Sequence, residues 1–307
     1  MSHEYEGIII FGTPRSGTTL LRRLLDAHPN ITCPPETCLF SACARFLHSE
    51  RVADGLDFGV LTGLAFAGFE PEAVRDRLRE FAFAFKREHA GRAGKARWAE
   101  KTAVDAFHVG KIEALCGDTV QYVCLVRHGL DVACSMRDLS DRGYTYLSEL
   151  HEYVKRYPRP LEAFAHAWVD VNRALLDFVE RHPDNSILLR YEELVADPQR
   201  EMQRLLAFLG EPWTDELLHD GLENRHDAGL GDWKTYDRTG IDAASVGSWK
   251  SLPRPIVSTL GEICNPVLQA CGYETVEVMK ADSAENARRR YQLGLMLGGD
   301  RHGQGRD

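Results

Sequence analysis

The sequence predicts an α/β fold: a mostly parallel sheet flanked by helices, in a single domain with a helical excursion. Three observations carry this. The runs GIIIFG (7–12), TVQYVCLVR (119–127) and SILLRY (186–191) are short, apolar and rich in β-branched residues, as buried strands require. The segments between them place apolar residues at helical spacing, and strands alternating with helices imply parallel pairing. The first run ends in a turn, Thr13-Pro14-Arg15-Ser16-Gly17, that opens directly into a helix.

That first helix begins at Thr18, presents Leu20, Leu21, Leu24 and Leu25 on one face, and ends at His28-Pro29. Residues 32–50 read as a loop followed by a helix. Residues 54–69 are rich in Gly and Phe and have no clean period. Residues 70–90 read as a helix with Pro71 near its start, and Arg97–Thr102 as a short strand whose end carries Lys101. Gly129 breaks the 119–127 strand, and a helix follows over Leu130–Leu139. Residues 140–160, polar and Tyr-rich, form the excursion. Phe164, Trp168, Val171, Leu175 and Phe178 hold helical spacing through 162–180. Asp197 is suited to cap the next helix, with Pro198 at its first position. That helix carries Met202, Leu205, Leu206 and Leu209 and stops at Gly210. Residues 213–226 read as a further helix, 227–253 as loop and 254–271 as a helix. From Lys280 the chain is a charged, then Gly-rich tail expected to be poorly ordered at its end.

The 307 residues include 37 Lys and Arg against 46 Asp and Glu, a net charge of −9. An acidic balance argues against a general nucleic-acid binder but not against an anionic small ligand, which senses the local field of a cleft. No stretch approaches the ~18 apolar residues of a membrane span, so no membrane partner is expected. The acidic N-terminus lacks the basic region of a signal peptide. The eight cysteines include no C-x-x-C pair and read mostly as small buried apolar residues, with no metal site. Reduced thiols fit a cytoplasmic protein.

The chemistry concentrates first in Gly12-Thr13-Pro14-Arg15-Ser16-Gly17-Thr18-Thr19. A Gly-rich turn between a buried strand and a helix aims backbone N–H groups and the positive helix end at one point, which makes an anion site of P-loop type. The G-x-x-x-x-G spacing matches a nucleotide triphosphatase loop, yet Thr18 stands where that chemistry needs Lys. The cation here is Arg15, inside the loop.

This segment, with Leu20 and Leu21, resembles the 5′-phosphosulfate loop of the sulfotransferases that use 3′-phosphoadenosine 5′-phosphosulfate (PAPS). Leu125-Val126-Arg127-His128-Gly129-Leu130-Asp131-Val132-Ala133-Cys134-Ser135 resembles the family's 3′-phosphate motif, in which an Arg at a strand end and a Ser eight residues on grip that phosphate. Arg190-Tyr191-Glu192-Glu193-Leu194, followed by Asp197-Pro198, resembles the third family block, whose Tyr lies near the nucleotide. Gly247-Ser248-Trp249-Lys250 resembles the loop that closes over it. The resemblance spans residues 7–253 and implies a sulfotransferase domain over 1–279, with 280–307 as tail.

It also implies the roles. Arg15, Ser16, Gly17, Thr18 and Thr19 would bind the phosphosulfate; Arg127 and Ser135 the 3′-phosphate; Tyr191, Ser248 and Lys250 the nucleotide. The reaction would be in-line transfer of a sulfuryl group from PAPS to an acceptor hydroxyl, on a small metabolite or a peptide tyrosine, with 3′-phosphoadenosine 5′-phosphate (PAP) leaving. Lys101, in Glu100-Lys101-Thr102, resembles a family lysine near the transferring group, and Glu100 is expected to pair with it or face solvent. Cys33-Pro34-Pro35-Glu36-Thr37 resembles the tyrosylprotein sulfotransferase branch and related bacterial members, whose Glu is the catalytic base. Glu36 is the expected base, with His108 the alternative. The residues leave two other readings open: a Mg²⁺-dependent P-loop kinase or NTPase, and a PAP-binding protein without turnover.

Overall fold

The computed structural model describes residues 5–142, 148–223, 241, 243–279, 288, 291 and 292. In chain order its elements are β1 (Gly7–Phe11), α1 (Thr18–Asp26), β2 (Ile31–Thr32), α2 (Leu39–Phe46), β3 (Ser49–Ala53), β4 (Leu56–Gly59), α3 (Val60–Phe66), α4 (Pro71–Ala93) and β5 (Arg97–Glu100). A 3₁₀ turn (Ala103–His108) leads into α5 (Val109–Cys116), β6 (Val120–Val126), α6 (Gly129–Ser140), α7 (Ser148–Arg156), α8 (Pro160–Arg181) and β7 (Ser186–Arg190). The chain continues through α9 (Tyr191–Ala196), α10 (Pro198–Leu209), α11 (Leu217–Glu223) and α12 (Arg254–Ala270).

Five strands form one sheet in the order β2-β5-β1-β6-β7, and every pair is parallel. The first strand therefore lies in the middle. The chain leaves it to build one side, then crosses it to build the other. Such a reversal opens a crevice at the C-terminal ends of the strands, where α/β sheets bind ligands. Alternation along β1 divides the core. Ile8 and Ile10 pack with Val123 and Leu125 against α1 and α10, whereas Ile9 and Phe11 pack with Tyr122 and Cys124 against α4, α5 and α8. A third cluster joins α6, α8 and α12 around Trp168, Phe164 and Leu260.

The helices begin and end where the residues dictate. Asp197 accepts a hydrogen bond from the Arg200 N–H at 3.1 Å and caps α10, while Pro160 and Pro198 stand at the start of α8 and α10. The 49–59 region is a departure from expectation. Its Ser49–Ala53 and Leu56–Gly59 segments pair as an exposed antiparallel hairpin turning at Asp54-Gly55, with Gly55 at φ 77°. Asp-Gly is a strong hairpin signal, masked here by the Gly- and Phe-rich run after it. Tyr191 also starts a helix rather than ending a strand. All eight cysteines are free and seven are buried. No helix among the described residues is long and apolar enough to cross a membrane. The 280–307 tail, apart from three isolated positions, and residues 143–147, with Tyr144 and Tyr146, lie outside the described residues.

Asp105, in the 3₁₀ turn, is fully buried beside Ser41 at the start of α2. Burial pushes its carboxyl up to about 7, opposed by the Lys86 ammonium and reinforced by Glu36. The unfolded carboxyl ionises near ~4, so between about pH 4 and 7 the unfolded chain releases a proton that the folded chain retains. The resulting loss of stability is absent below that window and complete above it. Asp105→Asn is therefore expected to be more stable than wild type at about pH 8, with the difference vanishing below about pH 4. Urea unfolding at the two pH values checks this.

Candidate active site at the strand ends

The turn after β1 has the shape its glycine and cation require. Ser16 N–H donates to the Thr13 carbonyl at 3.0 Å, and both Arg15 (φ 76°) and Gly17 (φ 94°) are left-handed. At Gly17 a Cβ would lie 2.3 Å from the Tyr191 ring, so backbone conformation and close approach both demand glycine. At Arg15 the conformation is costly for a side-chain-bearing residue, a pattern that marks functional turns. Thr18 and Thr19 are buried at the start of α1, whose first N–H groups have no intrahelical acceptors. The Ser16 hydroxyl is buried and has no hydrogen-bond partner among the described residues. An unsatisfied hydroxyl beside free helix N–H groups suits an anionic oxygen.

Arg127 leaves the end of β6 and ties this turn to two other segments. Its Nη1 donates to the Arg15 carbonyl at 2.9 Å and its Nη2 to the Ser245 carbonyl at 2.6 Å. Its guanidinium lies over the Tyr191 ring, 4.7 Å from the centroid, and the Tyr191 hydroxyl meets Ser245 Oγ at 2.9 Å. Arg15 Nε donates to Ser135 Oγ at 3.1 Å. Arg15, Arg127, Ser135 and Tyr191, far apart in sequence, thus meet at one place. Arg127 Nε is buried without a partner among the described residues.

The closing loop is anchored from below. Asp131 accepts from Gly247 N–H (2.7 Å), Ser248 Oγ (2.7 Å) and Trp249 N–H (3.1 Å), so it holds this loop. Trp249 stacks on His128 with ring centroids 5.3 Å apart. Burial pushes His128 down to about 4, so it packs as a neutral ring. Ser248 faces Asp131, and Lys250 is exposed on the turn that follows. Ser245, which contacts both Arg127 and Tyr191, escapes a sequence reading because it lies in a loop without periodicity, outside the Gly247–Lys250 block.

A second centre lies at the end of β5, next to β1 in the sheet. Lys101, 1% exposed, donates to Glu36 Oε1 at 2.5 Å. Glu36 itself remains partly accessible. The two residues expected to act on the transferring group are therefore in contact. Glu100 corrects an expectation: it neither pairs with Lys101 nor faces solvent. Strand alternation turns its side chain away from that of Lys101, and it is fully buried in an ion pair with Lys86 from α4. His108 contacts Glu149 at 3.0 Å, and Glu149 also pairs with Arg45; Glu36 holds the place beside Lys101.

Comparison with known proteins gives consistent matches. A sequence model of the sulfotransferase family matches residues 7–215. The protein-tyrosine sulfotransferase of Drosophila melanogaster is 26% identical over 218 residues, 69% of this chain and 39% of that protein. The nodulation protein NoeE of Sinorhizobium fredii is 29% identical over 255 residues, 79% of this chain and 59% of that protein. The chain thus spans less than two thirds of the length of both relatives. The sulfotransferase domain of the Synechococcus PCC 7002 olefin synthase matches in structure with a TM-score of 0.59 and 22% identity, covering 89% of this chain and 98% of that domain; the likeness is one of fold.

Proposed function

The chain belongs to the sulfotransferase family, and from that premise we propose that it transfers a sulfuryl group from PAPS to an acceptor hydroxyl on a small metabolite or a peptide tyrosine. The observation that carries this reading is the placement of one cation at the C-terminal end of each of three adjacent strands: Lys101 after β5, Arg15 after β1 and Arg127 after β6. These cations, the buried Ser16 hydroxyl and the open helix N-terminus fit a nucleotide bearing negative groups at both ends.

The loop N–H groups, Thr18 and Thr19 receive the 5′-phosphosulfate. Arg127 and Ser135 receive the 3′-phosphate, and Tyr191 and the 245–250 segment, with Ser248 and Lys250, border the nucleotide. Glu36 takes the acceptor proton as the acceptor oxygen bonds to sulfur and the bond from sulfur to the bridging phosphate oxygen breaks. Lys101 and Arg15 stabilise charge on that departing oxygen and on the sulfuryl oxygens. PAP leaves, and the proton remains on Glu36 until solvent takes it. Eight free thiols suit a reducing compartment, so we place the protein in the cytoplasm.

Calorimetric titration distinguishes this reading from a nucleotide triphosphatase. PAP is expected to bind in EDTA without competition from ATP; tight, Mg²⁺-dependent ATP binding with no affinity for PAP would overturn the reading. Arg127→Ala removes charge-assisted hydrogen bonds and is expected to raise the PAP Kd about 10- to 150-fold. A variant that binds PAP like wild type would remove Arg127 from the 3′-phosphate site.

A further inference from the structure

Beneath the Glu36–Lys101 pair lies a second, buried set of polar groups with no direct part in the reaction. Glu100 is at its centre. Its Oε2 accepts from Thr37 Oγ1 at 2.8 Å and from Lys86 Nζ; its Oε1 accepts from Thr102 Oγ1 at 2.6 Å. Lys86 also donates to Thr37 Oγ1 at 3.1 Å, and the Cys38 N–H donates to Thr102 Oγ1 at 3.0 Å. Glu100 and Lys86 are almost completely buried.

The connectivity gives this set its meaning. Thr37 follows Glu36 in the chain, Thr102 follows Lys101, and Glu100 precedes Lys101. The loop bearing the base and the strand end bearing the lysine are not neighbours in sequence. They meet side chain to side chain at Glu36–Lys101, and one layer down they meet again through the carboxylate of Glu100. A carboxylate in a buried site costs free energy unless paired and hydrogen-bonded. Lys86 supplies the charge, and the two threonine hydroxyls donate to one carboxylate oxygen each. Each hydroxyl also accepts a hydrogen bond, so neither can rotate freely. Rigid support of this kind matters because small displacements of reacting groups cost large factors in rate.

We propose that Glu100, seated on Lys86, is a positioning residue that sets the distance and orientation of Glu36 against Lys101 through Thr37 and Thr102. The proposal rests on the reading of Glu36 as the base. It assigns Thr37 a task as well: its hydroxyl transmits the position of Glu100 to the base loop.

The test uses Thr37, an exposed position where substitution leaves both charges of the buried pair in place, because Glu100→Gln would leave Lys86 buried without its countercharge. Thr37→Ala and Thr37→Ser are made in the wild-type and Glu36→Gln backgrounds, with kcat, KM for PAPS and the PAP Kd measured for each. Thr37→Ala is expected to lower kcat about 10- to 100-fold with PAP affinity unchanged. Thr37→Ser keeps the hydroxyl and is expected to restore kcat. In the Glu36→Gln background, where no base remains to position, Thr37→Ala is expected to cost nothing further. Wild-type kcat in Thr37→Ala, a loss that serine does not repair, a loss of PAP affinity in place of kcat, or an undiminished loss in the Glu36→Gln background would each overturn the proposal. Wild-type turnover in Glu36→Gln alone would instead strike the base reading on which it rests.

Discussion

Glu36→Gln is expected to cut turnover by about 10²- to 10⁴-fold, the usual contribution of a positioned general base, with PAP affinity unchanged. The substitution keeps the size of the side chain and an oxygen that can accept from Lys101, and removes only the capacity to take a proton. Glu36 lies in the loop after β2, partly accessible, with its Oε1 held by Lys101 at 2.5 Å. In the proposed reaction an acceptor hydroxyl arriving at this point would meet the carboxylate beside the cation that serves the leaving oxygen. Proton removal and departure would thus be served by two contacting side chains. Initial rates with saturating PAPS, together with a PAP titration, check both halves of the expectation. Wild-type turnover would transfer the role elsewhere, and His108, held by Glu149, would then need re-examination by His108→Asn.

Lys101→Met is the second large effect. Removing one preorganised donor from charge developing in a transition state costs about 10²- to 10³-fold in kcat. Methionine retains much of the apolar stem that lies buried at the end of β5. Two effects combine in this variant: the cation near the departing oxygen is lost, and Glu36 loses the partner that fixes its rotamer. Because Glu36 and Lys101 touch, their substitutions are expected to be strongly non-additive, with the double variant little worse than the poorer single one. Losses that simply multiply would show that the two residues act independently.

Much of the fold and of the convergence of residues at the strand ends is legible in the sequence. The β-branched runs at 7–12, 119–127 and 186–191 become three adjacent strands, and the turn at 13–17 lies where a parallel sheet needs a ligand loop. Arg15, Arg127, Ser135 and Tyr191 converge because each lies in the turn or helix that follows a strand of the sheet. Strand ends are local features that a sequence displays. The hairpin over Ser49–Gly59 was less visible because its turn signal precedes an aromatic-rich run that follows neither strand nor helix period. Glu100 was misread for a different reason. A carboxylate next to a lysine in sequence suggests a pair, but along a strand adjacent side chains point to opposite faces, and its true partner, Lys86, comes from the long helix that packs there. Asp131 likewise holds a loop more than a hundred residues away, a contact no local pattern reveals. Long-range polar partners are fixed by packing, which periodicity does not encode.

In the proposed reaction the cations at the ends of β5, β1 and β6 hold PAPS for sulfuryl transfer without a metal ion. This is tested most directly by incubating the wild-type protein with ³⁵S-labelled PAPS in EDTA, with hydroxylated metabolites and tyrosine peptides offered as acceptors. The products are resolved by chromatography and mass spectrometry. A sulfated acceptor and PAP are expected in equal amounts, with transfer lost in Glu36→Gln. Failure of the folded protein to bind PAPS, or label released from PAPS equally in wild type and Glu36→Gln, would contradict the proposed reaction.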